Sequence, residues 1–339
     1  MIDFKSHERG FRHKRMTLPV RSLLDWVTQN RIMINPMYTY HRPWGKGVKT
    51  QFIESVLVGM PIPDFWCEEN NYGELSVLEG SQHLECLIGF VRDEFRLQGM
   101  KLLQNLEGCN YTDLPFHYSS AFLGRTDIEL RIVSYDTEPL LKYEFFKGIN
   151  RDVYGFPTQA ARNYAYEFLP RFLMDLRESC KGFLEFDAND RDYSKSSFKL
   201  AFDVDETFLL LISLLQLKHR TIGDVRGGYP DLLDAGMFFL HENHWDLHQI
   251  GDDIRGLLAH IANEVGFKLR VVSTNSFSRA RHDIGRTYNG YMEVGVDGLV
   301  FAFIQALKGR PVSISKLVSP SHHLRKRALN VIYNELFGD

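Results

Sequence analysis

The sequence has few cysteines, no long apolar run and little net charge, and each shortage argues against a class of protein. Its four cysteines are widely spaced and form no Cys-x-x-Cys pair, which argues against a zinc knuckle and a redox dithiol. The longest apolar run, residues 208–215, is far shorter than the roughly 20 residues that cross a bilayer, so we predict no membrane partner. A formal net charge of −3 gives no whole-molecule attraction for nucleic acid.

What is present is the composition of a folded globular protein. Of 339 residues, 44% are hydrophobic and 24% are charged, and this length favours two closely packed domains. The basic segment 5–15 lacks the apolar stretch of a secretory signal. We therefore expect a cytoplasmic protein whose cysteines are reduced thiols.

Hydrophobic periodicity predicts an α+β fold, with a basic arm at residues 1–17, an α/β domain at 18–156 and a mainly α-helical domain at 157–339. In the α/β domain, helical and strand patterns alternate: helices at 18–30, 48–58 and 138–149, and strands at 33–34, 62–67, 75–78 and 127–136. In the last domain strand patterns are hard to find, and the predicted helices cover 158–176, 199–217, 229–240 and 247–265.

The segment Glu79-Gly80-Ser81-Gln82-His83 joins the predicted strand 75–78 to a helix with a clear apolar stripe. A strand that ends in an acidic residue and glycine before a helix presents free backbone N–H groups and the positive end of the helix dipole to an anion. Phosphate is the natural ligand of such a turn. The alternative is that the segment merely caps the helix, as any acidic-Gly-Ser turn does.

Three sequence blocks, taken in order, carry a resemblance to a known family. They are Tyr40-His41-Arg42-Pro43-Trp44, the block from Ser55 through Gly59 to Pro61-Ile62-Pro63, and Glu79–His83. They resemble the ParB/sulfiredoxin-like N-terminal domain of GmrSD-type restriction proteins, whose blocks read Pro-x-Tyr-Gln-Arg, Ser-Ile-Leu-x-Gly-x-Pro-Ile-Pro and Asp-Gly-Gln-Gln-Arg. A further match runs from Phe145 to Asn150, and the resemblance covers about the first half of the chain.

The resemblance implies a ParB-like fold for residues 18–156 and a nucleotide-binding regulatory protein of restriction and phage defence. In some members of that family, nucleotide hydrolysis gates a nuclease, so an NTP with Mg²⁺ is the implied cofactor. The residues it assigns are catalytic Glu79, Gln82 and His83, and nucleotide- or phosphate-binding Tyr40, His41, Arg42, Gly80, Ser81 and Asn150.

This chain departs from the family at Glu79, Ser81 and His83, where Asp, Gln and Arg are usual, and at His41, where Gln is usual. Arginine is permanently charged and forked for phosphate, whereas histidine is neutral for much of the time near pH 7. Arg42 is retained and would supply the permanent charge. Two hypotheses stay open: a nucleotide-binding protein with weak NTP hydrolysis, and a catalytically inactive module that binds DNA or a protein partner.

Other segments contain residue types that bind nucleic acids or metal ions in proteins. Arg279, Arg281 and Arg286 are candidate nucleic-acid contacts, against the favoured alternative that the run is simply solvated charge. The aromatic residues around Arg42 suit base stacking, against the alternative of ordinary core aromatics. We predict no metal site at His241, His244 and His248, because no Glu-x-x-His pattern frames them, and no nuclease activity of the chain itself.

Overall fold

The structure is a computed structural model that describes residues 10–34, 44–151, 157–186, 198–220, 222, 225, 228–272, 285, 287–288, 290–318 and 329–338. The chain divides into two compact units, Met1–Ala165 and Tyr166–Asp339. Both helices and strands occur in each unit, which agrees with the predicted α+β class. No helix of the described ranges is both long and apolar enough to span a membrane.

The first unit contains a five-stranded mixed sheet and helices on it. Its strands are β1 (His13–Pro19), β2 (Ile32–Ile34), β3 (Phe65–Glu69), β4 (Leu75–Glu79) and β5 (Asp127–Val133). They lie in the order β1-β5-β3-β4-β2. The helices are α1 (Val20–Thr28), α2 (Lys46–Leu57), α3 (Ser81–Val91), α4 (Phe116–Gly124), α5 (Pro139–Ile149) and α6 (Thr158–Ala165).

One core joins α1–α4 to the sheet. The alternating residues Phe65 and Cys67 of β3, and Leu75 and Val77 of β4, are buried in it, as the period of two along a strand requires. Helix α3 contributes Leu84 and neighbouring apolar residues to the same core. This packing fixes the point where β4 ends and α3 begins.

Other side chains of the sheet contact α5. Trp66 of β3 lies with its ring centroid 4.8 Å from that of Phe145 of α5. Lys142 of α5 forms a buried ion pair with Glu68 of β3. A buried charge needs a partner of this kind, so the pair ties α5 to β3.

Three details of the first unit differ from the predictions. Residues 13–17, assigned to a basic arm, belong to β1, which pairs with β5 from His13↔Val133 to Pro19↔Asp127. The strand predicted at 62–67 is found at Phe65–Glu69, because proline at position 63 has no N–H for a sheet ladder. The unit ends after Ala165, whereas the pattern of the sequence predicts a domain boundary after residue 156.

The second unit is mostly helical but also has a four-stranded sheet. The helices are α7 (Phe168–Cys180), α8 (Phe198–His219), α9 (Tyr229–Glu242), α10 (Leu247–Val265), α11 (Val296–Leu307), α12 (Ile314–Val318) and α13 (Leu329–Phe337). The strands are β6 (Leu184–Phe186), β7 (Lys268–Val272), β8 (Thr287–Tyr288) and β9 (Tyr291–Gly295), in the order β6-β7-β9-β8. Gly236 of α9 packs directly on Ser213 of α8.

The sequence pattern does not predict this second sheet, and it predicts one helix where the structure has two. The strands of the sheet are only two to five residues long, which is too short for a clear periodic pattern. The helix predicted at 158–176 is α6 followed by α7. Pro170 lies in the first turn of α7, where its missing N–H costs nothing, so the helix restarts there.

Candidate functional site

The turn between β4 and α3 depends on glycine at position 80. Gly80 has φ 99° and ψ 5°, a left-handed conformation that side chains disfavour. A Cβ atom there would lie 2.8 Å from Cδ1 of Phe65. Both the backbone and the packing therefore require glycine, which explains this residue of the motif without any ligand.

The first turn of α3 has no capping side chain and no acidic residue. The first N–H groups of a helix have no carbonyl partner within the helix, and they carry the positive end of its dipole. Gln82 belongs to this turn, and its Oε1 atom is buried without a hydrogen-bond partner in the described ranges. Such an atom is costly unless a donor reaches it.

The residue before the N-cap of α2 contacts the first turn of α3. Trp44, the residue before the N-cap Gly45 of α2, has its ring centroid 4.8 Å from that of His83 in the first turn of α3. The first turn of α2 also has no acidic residue and no capping side chain, and it opens with Lys46. Each of the two helix starts carries the positive end of a helix dipole, and the contact between the Trp44 and His83 rings joins them.

His83 lies in a cluster of aromatic rings. The centroids of Trp44, Phe52 and Phe65 are 4.8, 5.0 and 5.9 Å from that of His83. Burial among these rings lowers the pKa of His83 below its ordinary value of 6.5. The imidazole is therefore neutral near pH 7 and adds no fixed positive charge for phosphate.

We expect the stability of the first unit to depend on pH through His83. Because the folded state holds the pKa of His83 below 6.5, the unfolded chain takes up the proton first as the pH falls. The free energy of unfolding should therefore decrease below about pH 6.5 and level off below the pKa of the folded state. Urea denaturation across this range measures it.

A His83→Phe variant is the control, because phenylalanine suits the aromatic cluster and does not titrate. Its free energy of unfolding should depend less on pH in this range than that of the wild type. An NMR titration that places the pKa of His83 at or above 6.5 would contradict the prediction.

The other assigned residues are placed differently. Glu79 is half-buried at the end of β4, opposite Trp66 of β3, and Ser81 is buried at the start of α3. Asn150 is buried at the end of α5, where its Nδ2 donates to the carbonyl oxygen of Phe146 at 3.0 Å. This bond gives Asn150 a structural role as a helix cap. Outside the described residues lie Tyr40, His41, Arg42, Arg279, Arg281 and Arg286.

In the structure, residues outside the motif also belong to the site. Gly80, Ser81, Gln82 and His83 are consecutive, while Phe52 and Phe65 come from α2 and β3. Phe52 lies in the helix predicted at 48–58, and nothing in its local pattern distinguishes it from a core residue. Only the fold brings these rings to the helix starts.

The histidines near Trp245 make separate contacts. His241 lies 4.9 Å from Tyr166 between ring centroids, His244 Nδ1 is 3.0 Å from the carbonyl oxygen of His241, and His248 pairs with Asp252 at 3.3 Å. Among the residues that the structure describes, no three His, Cys, Asp or Glu side chains form a group that could hold a metal ion.

No family model, curated protein or solved structure matches the chain. The resemblance of its motifs to the GmrSD-type domain therefore stays a prediction.

Proposed function

We propose that this protein is a nucleotide-binding regulatory protein whose phosphate site lies at the adjoining starts of α2 and α3. The observation that supports it is the 4.8 Å distance between the ring centroids of Trp44 and His83, which brings the residue before α2 into contact with the first turn of α3. Neither helix start has a side chain that caps it. Neither first turn contains a carboxylate that would repel phosphate. The helix dipoles and Lys46 then attract the anion.

Within this proposal, hydrolysis depends on Glu79. It ends β4 one residue before the turn, so its carboxylate would orient water or hold Mg²⁺ beside the bound phosphates. The lowered pKa of His83, caused by its burial, removes the fixed charge that arginine supplies in the family's motif. We therefore propose nucleotide binding with weak NTP hydrolysis, in a cytoplasmic protein of the restriction or phage-defence type.

A second candidate function is favoured because His83 is neutral and packs among aromatic rings. A module that binds nucleotide without turnover, and acts by binding DNA or a protein partner, needs no charge at this position. Turnover of ATP and GTP with Mg²⁺ separates the two functions. Turnover that Glu79→Gln abolishes supports the enzyme, whereas nucleotide affinity without turnover supports the inactive module.

A charge reversal at the start of α2 tests the phosphate site. Lys46→Glu should weaken the binding of ATP and GTP by about tenfold, because it replaces an attracting charge with a repelling one. It should not destabilise α2, since a carboxylate at a helix start is favourable by about 0.3–1 kcal/mol. Isothermal titration calorimetry and urea denaturation measure the two effects.

Lys147→Glu is the matched control, since it makes the same charge change in the last turn of α5. We expect this variant to bind nucleotide as the wild type does. Equal affinity of Lys46→Glu and wild type would contradict a phosphate site at these helix starts. For the DNA-binding alternative, affinity for duplex DNA must fall steeply between low and physiological salt.

A further inference from the structure

The rings of Trp44, Phe52 and His83 meet edge to face. Their planes are inclined by 68°, 74° and 79° to one another, with centroids 4.8 to 5.5 Å apart. In each such contact, the edge of one ring lies against the face of another. Some ring faces of the cluster are therefore not covered by its other members. All three residues are only half-buried, while Phe65 beneath them is 1% exposed.

This cluster is continuous with the turn at Gly80. Phe65 contacts His83, with ring centroids 5.9 Å apart, and its ring also occupies the space where a Cβ of residue 80 would lie. His83 itself belongs to the first turn of α3. A group held by the N–H donors of this turn is therefore next to half-buried aromatic rings. In a nucleotide, one ribose separates the phosphates from a flat aromatic base.

The ring nitrogens of His83 suit the edge of a base. Neither of them has a hydrogen bond to a described residue. A neutral imidazole offers one donor and one acceptor, which complement the amino groups and ring nitrogens of a nucleobase.

We propose that Trp44, Phe52 and His83 form a nucleobase subsite, so that the site selects nucleotides over inorganic polyphosphates. This inference rests on the proposed phosphate site at the starts of α2 and α3. Stacking on an aromatic side chain tolerates every base, because each base has a π face. The subsite therefore favours nucleotides as a class, and the ring nitrogens of His83 discriminate among bases.

Calorimetry with ATP, GTP and inorganic tripolyphosphate, each with Mg²⁺, tests the subsite. The wild type should bind the nucleotides about 5- to 150-fold more tightly than tripolyphosphate, the range that stacking of one base supplies. Trp44→Leu should bind all three ligands with the low affinity that tripolyphosphate has for the wild type. Phe52→Leu, measured in parallel, should reduce the same preference, so the test stands if one variant fails to fold.

Trp26→Leu is the matched control, because Trp26 also packs as a half-buried ring against the same core but lies on α1 beside Arg31. It should retain the preference for nucleotides. Equal affinity of the wild type for nucleotide and tripolyphosphate, or a preference that survives in folded Trp44→Leu and Phe52→Leu, would overturn the subsite and leave the phosphate site standing. If the wild type bound none of the three ligands, both the proposed function and the subsite would be overturned.

Discussion

Replacing Glu54 with alanine should destabilise the first unit by about 3 kcal/mol or more, since hydrogen bonds to a charged group contribute about 1.5–3 kcal/mol each. Glu54 of α2 is 4% exposed, and its carboxylate accepts hydrogen bonds from three consecutive backbone N–H groups, those of Lys101, Leu102 and Leu103, at 2.6 to 3.1 Å. Alanine would leave these donors with water or with no partner.

The pKa of Glu54 reports the same contacts. Burial alone would raise it, but the N–H groups of Leu103, Leu102 and Lys101 outweigh burial and hold the pKa below its ordinary value of 4.5. The stability that Glu54 contributes is therefore present above pH 4.5 and is lost as the pH falls through the pKa of the folded state.

Urea denaturation of Glu54→Ala and Glu107→Ala, compared with the wild type, measures the effect. Glu107 is the matched control, because it accepts two hydrogen bonds from the same loop, from Gly99 and Met100, but is exposed to solvent. Its loss should cost much less. Equal effects of the two substitutions would show that burial does not decide the strength of these bonds.

Gly298→Ala should destabilise the second unit by about 3 kcal/mol, the upper end of the range for overpacking a core. A Cβ at position 298 in α11 would lie 2.0 Å from the carbonyl oxygen of Leu317 in α12. Because the obstacle is backbone, no side chain can rotate away, and one helix must move from the other. Urea denaturation compares the variant with the wild type.

Gly256→Ala is the control for Gly298→Ala. Gly256 lies inside α10, and a Cβ there would have no atom within 4 Å. Alanine at this exposed position should stabilise the helix by about 0.5–1 kcal/mol, because it restricts the unfolded chain and favours the helix. A Gly298→Ala variant as stable as the wild type would contradict the close contact between α11 and α12.

The elements that the sequence predicted best are those with local signals at both ends. The predicted helix 247–265 is found as Leu247–Val265, because a sustained apolar stripe ends at Gly266, whose φ is 76°. Likewise, the strand predicted at 75–78 is found as Leu75–Glu79, directly before α3. In both cases, the residues that mark the end of the element lie directly beside it in the sequence.

What the sequence could not predict depends on partners far along the chain. His13, Lys14 and Arg15 have the character of a solvated arm, but they form an edge strand because β5 pairs with them. In the same way, β6 is only three residues long and exists through its pairing with β7, from Leu184↔Leu269 onwards. Short, polar strands have no periodicity of their own that reveals this.

The candidate site was predicted in part for the same reason. The turn Glu79–His83 and the start of α3 followed from the local pattern, and the structure has them at those positions. The contact of Gly80 with Phe65, and the rings around His83, come from β3 and α2. These contacts add to the prediction for His83, assigned as a catalytic residue, that it is a neutral member of an aromatic cluster.

A crystal structure with a non-hydrolysable ATP or GTP analogue and Mg²⁺ at saturating concentration tests the central claim most directly. We predict density for phosphate within hydrogen-bond distance of the backbone N–H groups at the start of α3, with the base against Trp44. An empty turn, with the analogue absent or bound elsewhere on the chain, would contradict the assignment of the nucleotide site to Gly80–His83.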